Sequence, residues 1–195
     1  MENLDSYYKY YNKVDSTVLI EIQLQDIQQI ANPLDPSPYP EKTLGKDIAE
    51  YITNAVGDFP LTTNLKLVVY LPEEDLQREA AKNLDQTIQN HFRYKKAQTK
   101  REMKETFASG RISLAVGISF LALTLLANLM IAKKPDTVLN EIIRNSLLII
   151  GWVAMWQPIS IFFYAWRPFQ QKLKIYQKIC DMEVSVLSLA GDNSA

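Results

Sequence analysis

Few side chains in this chain of 195 residues stand at the spacings that catalysis or metal binding requires. His91 is the only histidine, and no cysteine or acid lies at ligand spacing from it. A position beside Phe92 on the surface of a helix explains it better than a role as ligand or general base. The sequence has no nucleophile elbow, phosphate loop, dinucleotide fingerprint, zinc-protease motif or calcium loop. We therefore predict no catalytic residue, no metal site and no cofactor.

Paired carboxylates are the remaining route to acid–base chemistry. Glu73, Glu74 and Asp75 follow Pro72 directly. They fit the first turn of a helix, where the helix dipole favours acids, and this role explains them without catalysis. Carboxylates that meet only in the folded chain could still form an active site. An enzyme acting on lipid is therefore the third of the three functions given at the end of this section.

The segment LDPSPYP, residues 34–40, is the most unusual local sequence. A stiff, extended, proline-rich loop can dock in a groove of a protein partner. The alternative is a rigid connector in which the carboxylate caps a turn. The residues predicted to dock a partner are Asp35, Pro36, Ser37, Pro38 and Tyr39.

A basic run precedes the first long apolar segment. Each base near a membrane surface contributes about 1 kcal/mol of attraction to anionic lipid. The same charges also set membrane topology without any partner, and no recognition motif accompanies them, so we predict no nucleic-acid binding. The predicted headgroup contacts are Arg93, Lys95, Lys96, Lys100, Arg101, Lys104 and Arg111.

Two apolar runs, residues 112–132 and 147–166, contain no acidic, basic or histidine side chain. As helices, each is about 30 Å long, which is the thickness of the hydrocarbon core of a bilayer. Asn128 and Gln157 are their strongest polar groups. Such groups usually form hydrogen bonds between helices, although they could also line a pore or a substrate path. We also expect Pro158 to kink the second helix.

Soluble elements precede these runs. Thr17–Gln23 alternates as a half-buried strand, Gly45–Val56 has the spacing of an amphipathic helix, and Leu65–Leu71 is apolar enough for a central strand. Asp26–Ile30 fits a short helical turn. A second helix should begin after Pro72, with one apolar stripe and a possible break at Gly110. Its stripe consists of Leu76, Ala80, Leu84, Ile88 and Phe92.

Two parallel strands make a thin sheet with poorly protected edges. Either a third strand comes from the N-terminal tail, or the sheet pairs with another chain. The second possibility is the main structural reason to expect a homo-oligomer. The single cysteine, Cys180, excludes an intrachain disulfide.

The predicted fold is an α+β membrane protein, with a small cytoplasmic α/β domain of strand, helix, strand and helix followed by a two-helix transmembrane hairpin. The predicted segments are a flexible tail (1–16), the soluble domain (17–95), a basic juxtamembrane helix (96–111), the first span (112–132), a loop (133–146), the second span (147–166) and a C-terminal helix and tail (167–195).

The distribution of bases sets the predicted orientation. Eleven bases flank the two spans, and three lie between them. By the positive-inside rule both termini are cytoplasmic. The C-terminal segment, Gln170–Leu189, has a helical apolar stripe and should lie on the membrane surface or return to the soluble domain.

Two stretches carry a resemblance. One is LDPSPYPEKTL (residues 34–44), and the other is WQPISIFFYAWRPF (residues 156–169), with the pattern W-x-P…Y-x-W-x-P. They resemble an uncharacterised family of small bacterial membrane proteins, although Ala165 stands where the family pattern has an acid. The resemblance implies an α/β domain ahead of a two-span hairpin in a bacterial inner membrane. It implies no activity.

The leading prediction is a non-enzymatic integral membrane protein, a membrane-anchored interaction or scaffold module. Its partners are membrane lipids, a protein bound through the soluble domain, and further copies of itself. The alternative is an oligomeric hairpin that forms a pore or assists transport. An enzyme acting on lipid is the third possibility.

Overall fold

The structure, a computed structural model, describes residues 10–133 and 137–189. The elements in chain order are β1 (Lys13–Val14), β2 (Thr17–Gln23), a 3₁₀ turn (Ile27–Ile30), α1 (Lys46–Gly57), β3 (Asn64–Leu71), α2 (Glu73–Leu76), α3 (Glu79–Lys82), α4 (Leu84–Ile131), α5 (Val138–Ala154), α6 (Trp156–Ser160), a π-helical turn (Ile161–Ala165), α7 (Trp166–Asp181) and β4 (Glu183–Ser188). The protein is therefore α+β, with one small sheet and two long apolar helical segments.

The sheet has four strands in the order β1-β2-β3-β4. β2, β3 and β4 run parallel, and β1 pairs antiparallel with β2. Ile20 pairs with Leu67, and Leu67 pairs with Val184, so the apolar positions of three strands are in register. Because side chains alternate along a strand, this register places the apolar residues on one face.

Helices cover that face and build the core. α1 contributes Ile52 and Val56, while α4 contributes Leu84, Ile88 and Phe92, and all five are buried. The stripe predicted after Pro72 therefore packs into the core, with Leu76 partly buried against it.

Most predicted soluble elements are confirmed, including β2, α1, β3 and the short turn before the proline segment. The single helix predicted after Pro72 is wrong, because the chain forms α2 and α3 before α4 begins. Arg78 separates them in an extended conformation (φ −67°, ψ 145°), and its guanidinium pairs with Asp75 at 3.0 Å. α4 then continues through Gly110, so the possible break there is also wrong.

The two ends of the chain supply the missing strands. Residues 13–14, predicted as part of a flexible tail, form β1, and residues 183–188, predicted as helix and tail, form β4. Residues 1–9 lie outside the described residues. Because both strands come from this chain, the thin sheet no longer requires a second copy. The homo-oligomer stays a prediction without that support.

The chain divides into two compact units. One contains the residues up to Gln98 together with those from Lys172 onward, and the other is Thr99–Gln171. The sheet and its core belong entirely to the first, which we call the α/β unit. The second, which we call the hairpin, is an insertion between β3 and β4. Two helical stretches, Leu84–Ile131 and Val138–Asp181, are long and apolar enough to cross a membrane, and each has residues in both units.

The hairpin packs through small residues. A methyl group added at Gly151 would approach Thr124 Oγ1 to 2.6 Å and Leu121 Cδ1 to 2.9 Å, and one at Gly117 would approach the Ala154 carbonyl oxygen to 3.2 Å. The regular helix ends at Ala154, four residues before Pro158, because proline cannot donate to that carbonyl. α6 and the π-helical turn follow, so the predicted distortion at Pro158 takes the form of an interrupted helix.

Candidate functional site

The α/β unit contains an open cleft of about 630 Å³. Four parts of the unit line it: the segment before α1, one face of α1, the part of α4 that belongs to the unit, and the middle of α7. The residues used below are Leu44, Lys46, Glu50, His91, Lys95, Lys172 and Tyr176. The volume lies within the range of small-molecule sites.

His91 sits in the lining and is only 6% exposed. The backbone N–H of Leu44 donates to its Nδ1 at 3.1 Å. This contact fixes the neutral tautomer, with the proton on Nε2. Burial, together with the nearby charge of Lys95, lowers the pKa of His91 to about 4. The expectation of a surface histidine is therefore wrong.

The second ring nitrogen is the unusual feature of this cleft. Among the described residues, no acceptor meets Nε2, although the atom is buried. A buried donor without a partner costs about 1–3 kcal/mol, so such groups are rare unless they serve a purpose. Because Nδ1 already accepts a hydrogen bond and Nε2 carries the proton, the ring is arranged to donate rather than to act as a base.

Charge in the cleft is predominantly positive. Lys46, Lys95 and Lys172 line it from α1, α4 and α7, and Glu50 is the one acid in the lining. Lys46 and Glu50 are 3.9 Å apart, and both side chains are largely exposed. Such an exposed pair holds its partners weakly. The arrangement can therefore bind an anion.

Aromatic rings form part of the wall. Phe92 packs against Tyr176 with ring centroids 5.7 Å apart, and His91 meets Phe92 edge-on at 5.3 Å. Phe92 therefore packs against both the imidazole and the Tyr176 ring of α7. The lining of the cleft thus combines packed aromatic rings with three lysine side chains.

The proline segment is folded on itself. The Asp35 carboxylate accepts hydrogen bonds from the Ser37 and Thr43 backbone N–H groups and from the Thr43 hydroxyl, at 2.7–3.0 Å. These bonds hold the pKa of Asp35 well below its usual range. The geometry matches the rigid-connector alternative, and docking at Asp35, Pro36, Ser37, Pro38 and Tyr39 stays a prediction.

The segment also supports the cleft. Asn90 Nδ2 lies 3.4 Å from the carbonyl oxygen of Pro40, which it contacts as a donor. Thr43, which binds Asp35, immediately precedes Leu44, the donor to His91. The Asp35 hydrogen bonds therefore fix the backbone that orients the imidazole.

The seven predicted headgroup contacts do not form one group. Arg93 donates to Asn90 and Gln89, Lys95 lines the cleft, and Lys96 contacts Gln177, all within the α/β unit. The other four are exposed and belong to the second unit: Lys100, Arg101, Lys104 and Arg111. Lipid contact by any of the seven stays a prediction.

The two polar groups of the apolar runs have different surroundings. Asn128 donates from Nδ2 to the Arg144 carbonyl oxygen at 2.9 Å, and Arg144 Nε donates back to Asn128 Oδ1 at 3.3 Å. This pair links α4 to α5. Gln157 is exposed and borders a groove of about 370 Å³ beside Gly117 and Pro158.

Two further side chains have roles that their local sequence does not reveal. Asp75 is 4% exposed and accepts from the Ile27 N–H at 2.8 Å, so it holds the short turn as well as beginning a helix. Lys178 Nζ donates to the carbonyl oxygens of Pro60, Leu61 and Thr63 at 2.6–3.0 Å, and burial lowers its pKa. All four hydrogen bonds join segments distant in sequence.

No group of three or more histidine, cysteine or acidic side chains that could hold a metal ion occurs within residues 10–133 and 137–189. No known family model, curated protein or solved structure matches this chain. The function is therefore argued from the geometry alone.

Proposed function

We propose that the protein is a two-span integral membrane protein that anchors the α/β unit, as a non-enzymatic binding module, at the cytoplasmic face of a bacterial inner membrane. The exposed apolar surface of the hairpin carries this proposal. Only 11% of the most apolar window of each long helix is buried. Side chains such as Met130 and Trp152, each 73% exposed, face outward.

Lipid is the environment that suits such a surface. The first apolar run has eleven Leu, Ile, Val or Phe residues, which together favour insertion by about 3–7 kcal/mol. Asn128 forms hydrogen bonds with Arg144 through both its amide nitrogen and its amide oxygen, so its side chain would not enter lipid without a partner. Close helix contact at Gly117 and Gly151 is also typical of membrane helix pairs.

The sheet supports an even number of crossings. β3 precedes the hairpin and β4 follows it, and the two strands are neighbours in one sheet. The chain must therefore leave and rejoin the same side of a membrane. Eleven bases flank the two apolar runs on the side of the α/β unit and three lie between the runs, which favours the cytoplasm for the side of the unit. Five of the eleven lie closest to the runs. They are Lys100, Arg101, Lys104, Arg111 and Arg167.

Cysteine labelling in intact cells tests both insertion and orientation. The Cys180→Ser background removes the native thiol, whose pKa is raised by burial. Lys133→Cys lies in the turn after α4, and Leu34→Cys lies at an 88% exposed position of the α/β unit. A membrane-impermeant maleimide should label Lys133→Cys in intact spheroplasts and Leu34→Cys only after permeabilisation.

Leu187→Cys on β4 is the matched control for the second end of the hairpin. It should behave like Leu34→Cys, because β4 belongs to the same sheet. Labelling of Leu187→Cys without permeabilisation would contradict two crossings. Release of the protein from membranes by alkaline carbonate would contradict insertion altogether.

An oligomeric pore is the second candidate function, and one observation favours it. The Gln157 side chain is exposed beside a groove rather than bonded within the pair as Asn128 is. Such an amide could pair with another hairpin or line a path. Purified protein in liposomes should then raise ion leak, and Gln157→Leu should abolish the leak. An unchanged leak would overturn this candidate.

A further inference from the structure

The cleft of the α/β unit has a donor that the fold positions and does not use. His91 Nδ1 accepts a hydrogen bond from the Leu44 N–H, so Nε2–H has a fixed direction. The His91 side chain is buried, with 6% of its surface exposed. No described residue accepts from Nε2. Nε2 itself has almost no accessible surface, so a ligand oxygen in the cleft would supply the acceptor after a small displacement of the neighbouring side chains.

The charge of the lining indicates which chemical group would supply that oxygen. Three lysines and one glutamate leave two positive charges at the cleft. A phosphate monoester carries about −1.5 to −2 at neutral pH, which complements them. Lysine binds phosphate as a point charge, so the three side chains require no fixed fork geometry.

The start of α1 adds backbone donors. Gly45 precedes this helix of twelve residues and has no side chain to cap the first-turn N–H groups. Leu44 and Lys46, on either side of Gly45, both line the cleft, whereas the first-turn acid Asp47 does not. Uncapped N–H groups at a helix start attract phosphate.

The size of the cleft exceeds a phosphate ion, and its wall includes Phe92, Tyr94 and Tyr176. We infer that the cleft binds a phosphorylated small molecule, with the phosphate monoester on His91 Nε2–H and the lysines and the remainder of the molecule against the aromatic wall. This inference supplies a ligand for the proposed module, and its test does not depend on membrane insertion.

His91 makes the test direct, because it is the only histidine of the chain. Full-length protein labelled with ¹⁵N-histidine in a maltoside detergent gives one pair of ring nitrogen signals. Adenosine monophosphate should shift the Nε2 signal in a saturable way, and adenosine at the same concentrations should not. An equal shift with adenosine would overturn the role of the phosphate.

Variants distinguish binding in the cleft from nonspecific attraction by surface charge. Lys172→Gln, at an exposed position, should weaken binding about fivefold, whereas Lys82→Gln on α3, also exposed but outside the cleft, should not change it. His91→Asn keeps an acceptor for Leu44, and its shorter side chain has no donor at the position of Nε2. By calorimetry it should bind adenosine monophosphate at least tenfold more weakly while remaining folded.

Two sources could supply the phosphate monoester, a soluble ester or the headgroup of phosphatidic acid. Nanodiscs of phosphatidylcholine with phosphatidic acid, compared with phosphatidylcholine alone, test the second source through the same signal. A shift with either source supports the inference and identifies the source. No saturable shift with either, or equal binding by wild type, Lys172→Gln and His91→Asn, would overturn it.

Discussion

His91 depends on a backbone contact from another segment of the chain. The N–H of Leu44, 47 residues away, fixes its tautomer, and the packing of Phe92 fixes its ring. Asp35 acts one step further back, because its hydrogen bonds hold Thr43 next to that donor. A chain of local contacts therefore leads from the proline segment to the cleft.

Acid should destabilise the protein partly through His91. Its pKa is about 4 in the folded chain and about 6.5 in the unfolded chain, so between these values only the unfolded chain binds the proton. Stability from this group is complete above pH 6.5 and falls by roughly 2–3 kcal/mol as the pH drops toward 4. Thermal unfolding from pH 4 to 7.5 measures the slope.

The His91→Asn variant is the control for this slope, because carboxyl groups also titrate in that pH range. Its stability should change less with pH than that of the wild type. Parallel curves for the two proteins would show that His91 does not titrate as the structure indicates.

The elements differ in how well the sequence predicts them. β2 and α1 follow from the periodicity at Ile20 and Ile52, because each has one buried face, and β3 follows from the apolar run around Leu67. β4 has the same alternation at Val184 and Val186, but it is short and follows a strongly amphipathic helix, which conceals it. The His91 cleft could not be predicted, since its parts meet only through non-local contacts.

The register of β4 can be tested by charge on alternate positions. Val186 packs against the core, whereas Leu187 is 47% exposed on the opposite face. Val186→Asp should destabilise the α/β unit by about 2–4 kcal/mol, because it places a charge without a partner against the core from a partly buried position. Leu187→Asp, the matched control, should cost less than about 1 kcal/mol. Chemical unfolding in detergent measures both, and equal effects would exclude this register.

Close packing at Gly151 makes the hairpin sensitive to added volume. Gly151→Leu would place side-chain atoms where Thr124 and Leu121 already lie, at a cost of about 1–3 kcal/mol or more. Ala122→Leu adds the same side chain at an exposed position and should be tolerated. Thermal loss of helical circular dichroism in detergent compares the two. Similar midpoints would argue against this helix pairing.

At the scale of the whole molecule, the hairpin is an insertion in an otherwise complete α/β unit. The sheet, the core and the His91 cleft use only residues on either side of it. α4 and α7 already meet in the α/β unit, where Lys96 contacts Gln177. The unit therefore holds the two ends of the insertion close together without help from the hairpin.

Excision of residues 99–171 should leave a soluble, folded protein. A glycine–serine linker of about eight residues would join the two ends and span at most about 28 Å. We expect a monomer by light scattering, because all four strands come from one chain. A stable dimer would instead revive the expected homo-oligomer through the soluble part. The same excision with Val186→Asp should fail to fold, and insolubility of the excised protein alone would contradict an independent unit.

The position of β4 after the insertion has a consequence for biosynthesis. When the ribosome has made β3, the strand that will cover its free edge does not yet exist, and translation of the intervening helices takes on the order of 5–20 s. During that interval the nascent sheet exposes an unpaired edge. If the hairpin inserts as proposed, the α/β unit is completed only after both apolar segments have been synthesised, so a chain whose insertion stalls remains open to chaperones and proteases.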